Sequence, residues 1–309
     1  MTTPFSISPS ELLPRLGTAH APVLLDVRRD APFEASASML VGAQRCAPQN
    51  VAAWAEAHDQ QRDQAIVVYC VYGHNVSADA CSQLRALGWN AVALAGGIQG
   101  GEDGVDSPAD IAVWRGTALP MWRKRVDLGL AGLGGSRWVT RARPKIDRIA
   151  CPWLVRRWID REAQFDYVPD AQVLSHAQQV GGLAYDIVGA PITHVGEQCS
   201  FDALLHAVDL HTPALDLLAR IVRGADTDLL QLEAQCAGLL AITQGMARLH
   251  AQDDAAMLEA MMPIYDALYA WCVDQTQGRV ERHAWNAPAP VNSAALRRQA
   301  EQARKSVRI

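Results

Sequence analysis

The sequence predicts an α/β domain built on a parallel sheet, followed by a mainly helical α+β domain. Three observations carry that expectation. In the first hundred residues short β-branched runs alternate with segments of helical periodicity, the arrangement that pairs strands in parallel through right-handed crossovers. A break follows at Gly96-Gly97, Gly100-Gly101, Gly104 and Asp106-Ser107-Pro108, residues that punctuate regular structure. Beyond it the apolar spacing turns predominantly helical, with only brief strand-like runs.

Taken in order, Ser8-Pro9-Ser10-Glu11 is a capping box with proline at the first helical position, opening a helix through Leu12, Leu13 and Leu16. Val23 to Val27 reads as a strand, Asn50 to His58 as a helix, and Ile66 to Tyr69 as a buried strand. Cys70 ends that strand. After Gly73 the apolar positions Val76, Ala80, Leu84 and Leu87 recur at helical spacing and Gly88 stops the helix; Ala91 to Leu94 is the next strand. Cys70 is thereby aimed into a loop that closes on a helix N-terminus, at the carboxyl edge of a parallel sheet where such folds place their sites. Unpaired N–H groups and the helix dipole stabilise a thiolate there, which favours a nucleophile over the small buried hydrophobe a free cysteine usually is. Cys81, on the following helix, reads as packing.

From Leu12 to Gly97 the chain resembles the rhodanese-like sulfurtransferases. Val23-Leu24-Leu25-Asp26-Val27-Arg28 is similar to that family's strand ending in Asp-x-Arg, and Val41-Gly42-Ala43 to its Gly-Ala turn; Cys70-x-x-Gly73 is similar to its active-site loop, and Leu87-Gly88-Trp89 with Leu94-Ala95-Gly96-Gly97-Ile98 to its closing segment. The resemblance implies a persulfide on catalytic Cys70, an anion-binding loop of Val71, Tyr72, Gly73, His74, Asn75 and Val76, and supporting roles for Asp26 and Arg28. Its partners are a sulfane sulfur donor, thiosulfate or a persulfide, and a thiol acceptor, with no cofactor required. The family's loop carries an arginine five residues after the cysteine and often a basic residue beside it, where this chain has Asn75 and Val71. From Cys70 to Gly88 the chain is one residue longer than the common single-domain members of that family, and a longer cradle resembles the phosphatase and arsenate-reductase branch of the fold, which needs an arginine this loop lacks. An anion would rest on backbone N–H groups, with charge from His74 or the basic connector.

With 309 residues, half hydrophobic and a fifth charged, the chain has the composition of a globular protein of two domains. We read residues 1–105 as the first domain, 106–143 as a basic linker containing glycine and tryptophan, 144–280 as the second domain, and 281–309 as a proline-containing linker and basic helical tail. The net charge of −5 hides segregation: residues 115–148 carry nine basic and two acidic side chains, and residues 291–309 five and one. Such a connector docks against its own acidic domains, attracts an oxyanion or meets nucleic acid, the first being the default. Neither a nucleic-acid-binding signature nor a membrane span is present, which sets both partners aside. Seven cysteines without a Cys-x-x-Cys pair and a start without basic and apolar signal regions argue for a reducing, cytoplasmic setting.

In the second domain Gln164 to Val168 and Leu183 to Val188 are strand-like; Phe201 to Val208, Ala214 to Arg223, Leu229 to Leu249 and Ala255 to Val273 are helical, with Pro263 expected to kink or split the last. Trp153 and Trp158, flanking Arg156 and Arg157, read as core with snorkelling arginines. The strings Arg143-Pro144-Lys145-Ile146-Asp147-Arg148 running on to Asp160, Phe165-Asp166-Tyr167-Val168-Pro169, His194-x-Gly196-x-x-Cys199-Ser200-Phe201, Ile221-Val222-Arg223-Gly224-Ala225-Asp226 and Pro263 to Cys272 resemble the C-terminal domain of ChrB-type chromate-resistance proteins. That resemblance implies a chromate or oxyanion stress response. It leaves open a sulfurtransferase coupled to that response, a non-enzymatic oxyanion or metal sensor, and a metal-dependent oxyanion reductase.

Two clusters carry chemistry here. His194, Glu197 and Cys199 lie within six residues and can hold a divalent metal if Asp226 or His176 completes the set, or form a hydrogen-bonded turn with Ser200 as a cap. Lys145, Asp147 and Arg148 before Cys151-Pro152 can bind an anion, or cap a helix that starts at the Cys-Pro pair.

Overall fold

The computed structural model describes residues 6–279; the linker and helix expected at 281–309 lie outside them. In the first domain β1 (Ser6–Ile7), α1 (Pro9–Leu12), β2 (Val23–Asp26), α2 (Asp30–Ala35), β3 (Ser38–Leu40), β4 (Ala43–Arg45), α3 (Val51–Ala57), β5 (Ile66–Tyr69), α4 (Asn75–Ala86) and β6 (Ala91–Leu94) follow one another. The capping box forms at α1, with Ser8 and Glu11 bonding reciprocally. Five strands make one parallel sheet in the order β1-β6-β5-β2-β4. Every residue of β2 and β5 is buried, because a parallel sheet is covered on both faces. Val23, Leu25, Ile66 and Val68 pack with Val51 and Trp54 of α3 and Ala80 and Leu84 of α4. Their alternates Leu24, Val67 and Tyr69 face the other way, into a core that runs on without interruption to Trp153 and Trp158 of the second domain.

Residues 106–143, expected as a basic linker, carry regular elements. They contain α5 (Pro108–Arg115), β7 (Met121–Arg123), paired antiparallel with β3, and β8 (Arg137–Arg141), the central strand of a three-stranded parallel sheet ordered β10-β8-β9. Trp122 anchors the pair of β3 and β7 at 1% exposure. In β8, Trp138, Val139 and Thr140 are all buried, so the strand has no polar alternation by which sequence periodicity could reveal it.

The second domain continues with α6 (Asp147–Leu154), β9 (Gln164–Val168), α7 (Val173–Val180), β10 (Leu183–Ala184), α8 (Ser200–Ala207), α9 (Pro213–Asp226), α10 (Cys236–Leu249) and α11 (Asp254–Thr276). Four expectations are corrected. α6 begins four residues before the Cys151-Pro152 pair: Pro152 cannot donate to the Arg148 carbonyl, and the Tyr185 hydroxyl donates to that oxygen instead at 3.2 Å. The helix runs straight into a π-helical turn at Val155–Ile159. The Leu183 strand stops at Ala184, since Asp186 adopts a left-handed φ of 53°. The helix expected from Leu229 starts only at Cys236, whereas α11 passes through Pro263 unsplit.

The domains share backbone contacts as well as a core. The Gly42 N–H donates to the Trp158 carbonyl at 2.6 Å, and Glu162 accepts from the Gln44 amide at 3.2 Å while lying 3.0 Å from His58 Nε2.

Candidate functional site

Cys70 follows β5 directly and is 5% exposed. No side chain caps α4, so its first N–H groups point into the loop that the cysteine opens. Cys70 Sγ lies 3.3 Å from Ser77 Oγ on the first turn of α4, and that hydroxyl also donates to the His74 carbonyl at 3.0 Å. The Ile98 and Gln99 N–H groups donate to the carbonyls of Cys70 and Val71 at 3.0 and 2.9 Å. Gly73 has φ 82°, and a Cβ there would come within 2.7 Å of the Gly97 nitrogen; the two backbones meet so closely that only glycine fits.

The loop's charge is the decisive observation. Asn75 and Val71 contribute no cation, and His74 is engaged by acids, its Nε2 2.9 Å from Asp106 Oδ2 and its Nδ1 3.5 Å from Glu102 Oε2. The Glu102 backbone N–H, and then His74, hold the Asp106 carboxyl below its ordinary range. Connector cations turn elsewhere. Arg115 binds Asp103 and the Gly101 carbonyl; Arg123 pairs with Asp209, Arg125 bonds Asp127 and the Ala207 carbonyl, and Arg141 and Arg148 both pair with Asp186. Asp26 and Arg28 form a buried pair, with Arg28 Nη2 2.6 Å from Asp26 Oδ2, a further bond to the Ser38 carbonyl, and the Tyr69 hydroxyl donating to Asp26 at 3.0 Å. They brace β2 against β5 and β3 rather than touch the thiol. Burial pushes up the thiols of Cys46, to about 11, of Cys81 and Cys272, to about 12, and of Cys151, Cys199 and Cys236.

A second centre lies among β8, β10, α6, α8 and α9. His194 Nε2 sits 3.2 Å from Asp147 Oδ2, 3.3 Å from Asp186 Oδ1 and 3.3 Å from Asp226 Oδ2. Asp147 opens α6, Asp226 closes α9, and Asp186 follows β10. Ser200 Oγ donates to Asp186 at 2.8 Å, and the Ser200 N–H to Asp147 at 3.3 Å. Burial opposes the Asp147 charge, yet His194 and Arg148 hold its carboxyl below the usual range; burial and the Asp147 charge push Asp186 up and Asp226 up to about 7, and the bond to Asp147 raises His194 to about 9. Ile146, just before Asp147, is held at φ 34°, a conformation a β-branched residue rarely adopts, with its carbonyl accepting from the Tyr265 hydroxyl at 2.8 Å.

Of the residues expected to hold a metal, the fold brings His194 and Asp226 together. Glu197 is exposed, and Cys199 caps α8 with Sγ 3.4 Å from Asp202, whose carboxylate pairs with Arg223. His176 pairs with Asp166. Of the expected anion site, Lys145 points outward, while Asp147 and Arg148 belong to the His194 centre. Sequence reasoning missed Asp186; its only trace is an acid directly after the Leu183 strand, a position with no spacing relation to His194.

Residues 8–103 match the family model of the rhodanese-like domain, and residues 138–272 that of the ChrB C-terminal domain. Protein ChrB of Cupriavidus metallidurans is 32% identical over 136 residues, 44% of this chain and 40% of that protein, so the chain spans two fifths of the length of this curated relative. A rhodanese-related protein from Thermoplasma volcanium is 30% identical over 30% of this chain and 86% of its own, with a TM-score of 0.25. A rhodanese-like domain protein from Staphylococcus aureus is 23% identical over 33% and 95%, with a TM-score of 0.27. The chain thus joins a rhodanese-like domain at residues 8–103 to a ChrB C-terminal domain at residues 138–272.

Proposed function

We propose that this protein is a sulfurtransferase in which Cys70 carries a sulfane sulfur as a persulfide, serving a cellular response to chromate or a related oxyanion. One observation supports it most: Cys70 lies at the carboxyl end of the central strand, facing an uncapped helix N-terminus with the Ser77 hydroxyl at 3.3 Å. The Cys70 thiol gives its proton to water, and the thiolate attacks the outer sulfur of a donor persulfide. The donor's S–S bond breaks, its thiolate leaves, and Cys70 holds the sulfane sulfur until an acceptor thiolate takes it in the reverse sense. Ser77 turns its O–H from the His74 carbonyl to the thiolate, where a charge-assisted bond is the stronger one.

A loop without a guanidinium suits a persulfide donor better than the thiosulfate dianion. Persulfide kcat/KM exceeds that for thiosulfate by about tenfold or more, the worth of one charge-assisted hydrogen bond. Asn75→Arg narrows the gap by raising thiosulfate turnover, and Cys70→Ser loses both activities. A wild type inactive with every sulfane donor contradicts the proposal.

A second reading has its own observation. Arg123, Arg141 and Arg148 pair with carboxylates of the second domain, the disposition expected of an oxyanion or metal sensor whose first domain only reads. Calorimetric titration with chromate and sulfate separates the two: the sensor reading requires binding that survives Cys70→Ser and falls with Arg141→Ala.

A further inference from the structure

The His194 centre differs from an ordinary ion-pair network in its convergence. Three carboxylate oxygens, from the start of α6, the end of α9 and the turn after β10, lie 3.2–3.3 Å from one imidazole nitrogen. An N–H donates well to one acceptor, not three. Two atoms bound about 2.1 Å from a common ion lie about 3.0 Å apart at octahedral and about 3.4 Å apart at tetrahedral angles, from typical metal–ligand distances. The observed separations fall between those limits, and the liganding atoms of Asp147, Asp186 and His194 lie within 4.8 Å of one another.

A further observation points to a ligand at this place. Cys151, wholly buried one helical turn after Asp147, makes no hydrogen bond among the described residues, although i,i+4 spacing sets it on the same face of α6. On the outer side, Arg141 spans Asp170, 3.8 Å from its Nε, and Asp186, 2.7 Å from its Nη2. Arg141, Asp186, Thr193 and His194 line a cavity of about 620 Å³ walled by Leu174 and Val188.

We propose that the second domain binds one divalent cation through Asp147, Asp186, Asp226 and His194, with its outer face open to that cavity. Three carboxylates and one imidazole favour an oxygen-preferring ion of the manganese(II) type over a thiolate-loving one. Cys199 lies outside the set because Asp202 and the α8 N-terminus already hold it. His194 comes from an exposed turn between Ile192 and Gln198, so the imidazole has room to adjust as the ion enters among these side chains. Arg141, pinned to Asp186 at 2.7 Å, sets a positive charge beside the open side, which selects a small anion as the next ligand.

The test is a manganese(II) titration of the chelator-treated full-length protein, reading free ion by its paramagnetic resonance signal, with a zinc(II) titration by calorimetry alongside. The expected result is one manganese ion per chain for the wild type and for Glu197→Gln. His194→Gln and Asp226→Asn should each weaken binding by more than about tenfold, the usual effect of disturbing a metal site. His194 is 40% exposed, so its substitution leaves the core intact, and circular dichroism with retained Cys70 persulfidation confirms the fold. A folded wild type that binds neither ion, or equal affinity in wild type and His194→Gln, overturns the proposal and leaves His194 as the imidazolium of an ion-pair network.

Discussion

Position in the fold separates two acidic residues that look alike in the sequence. Asp26 sits in an apolar strand and reads from Asp-x-Arg as a supporting residue; its carboxylate compensates a guanidinium only 2% exposed. Removing one partner of a buried pair strands the other's charge. Asp26→Asn should therefore destabilise the protein by about 3 kcal/mol or more in urea denaturation, and a loss below about 1 kcal/mol would show that Arg28 finds another partner. Asp186 gave no comparable signal. Its role depends on a left-handed turn and on neighbours 39 residues before it and 40 after it in Asp147 and Asp226, and no local pattern encodes that meeting. The placement of Cys70 was legible because it is local: strand, cysteine, Gly73 and helix start follow one another.

Among elements, those that show an apolar stripe or an unbroken apolar run could be read, and a strand flanked by charged residues could not. α4 shows its buried stripe at Ala80, Cys81 and Leu84, and β5 its unbroken apolar run. β8 is flanked by arginines that mimic a linker, yet its three middle residues are wholly covered. The start of α6 was misplaced for a different reason. Proline usually marks a first turn, but here the Tyr185 hydroxyl replaces the lost helical donor, a contact supplied by tertiary structure alone. The same helix places Asp147 at one domain's charged centre and Trp153 in the shared core, so the position of the second centre is tied to the packing of both domains.

At the scale of the molecule, the first sheet's second face and the helices of the second domain form one apolar core, which couples their stability. Its titration behaviour follows from burial. Tyr69, Tyr185 and Tyr265 are fully buried, and burial raises each well above its ordinary value, as it raises Cys46 to about 11 and Cys81 and Cys272 to about 12. A group with a raised folded-state pKa keeps its proton after the unfolded chain has lost it. Its contribution is complete below the unfolded value and declines as pH rises above it. Stability to urea should begin to fall near pH 8.5, where unfolded cysteines ionise, and fall more steeply above about pH 10, where tyrosines follow, each group contributing up to about 1.4 kcal/mol per pH unit. Unchanged stability from pH 8 to 11 would mean that these side chains are solvated.

The central claim is that Cys70, in a loop without a guanidinium, is the sulfur carrier. Intact-mass spectrometry after incubation with a small-molecule persulfide tests it most directly. The wild type should gain about 32 Da, one sulfur atom, with the added mass on the peptide containing Cys70, and Cys70→Ser should gain nothing. An unmodified wild type, or the same gain on Cys70→Ser, would contradict the account.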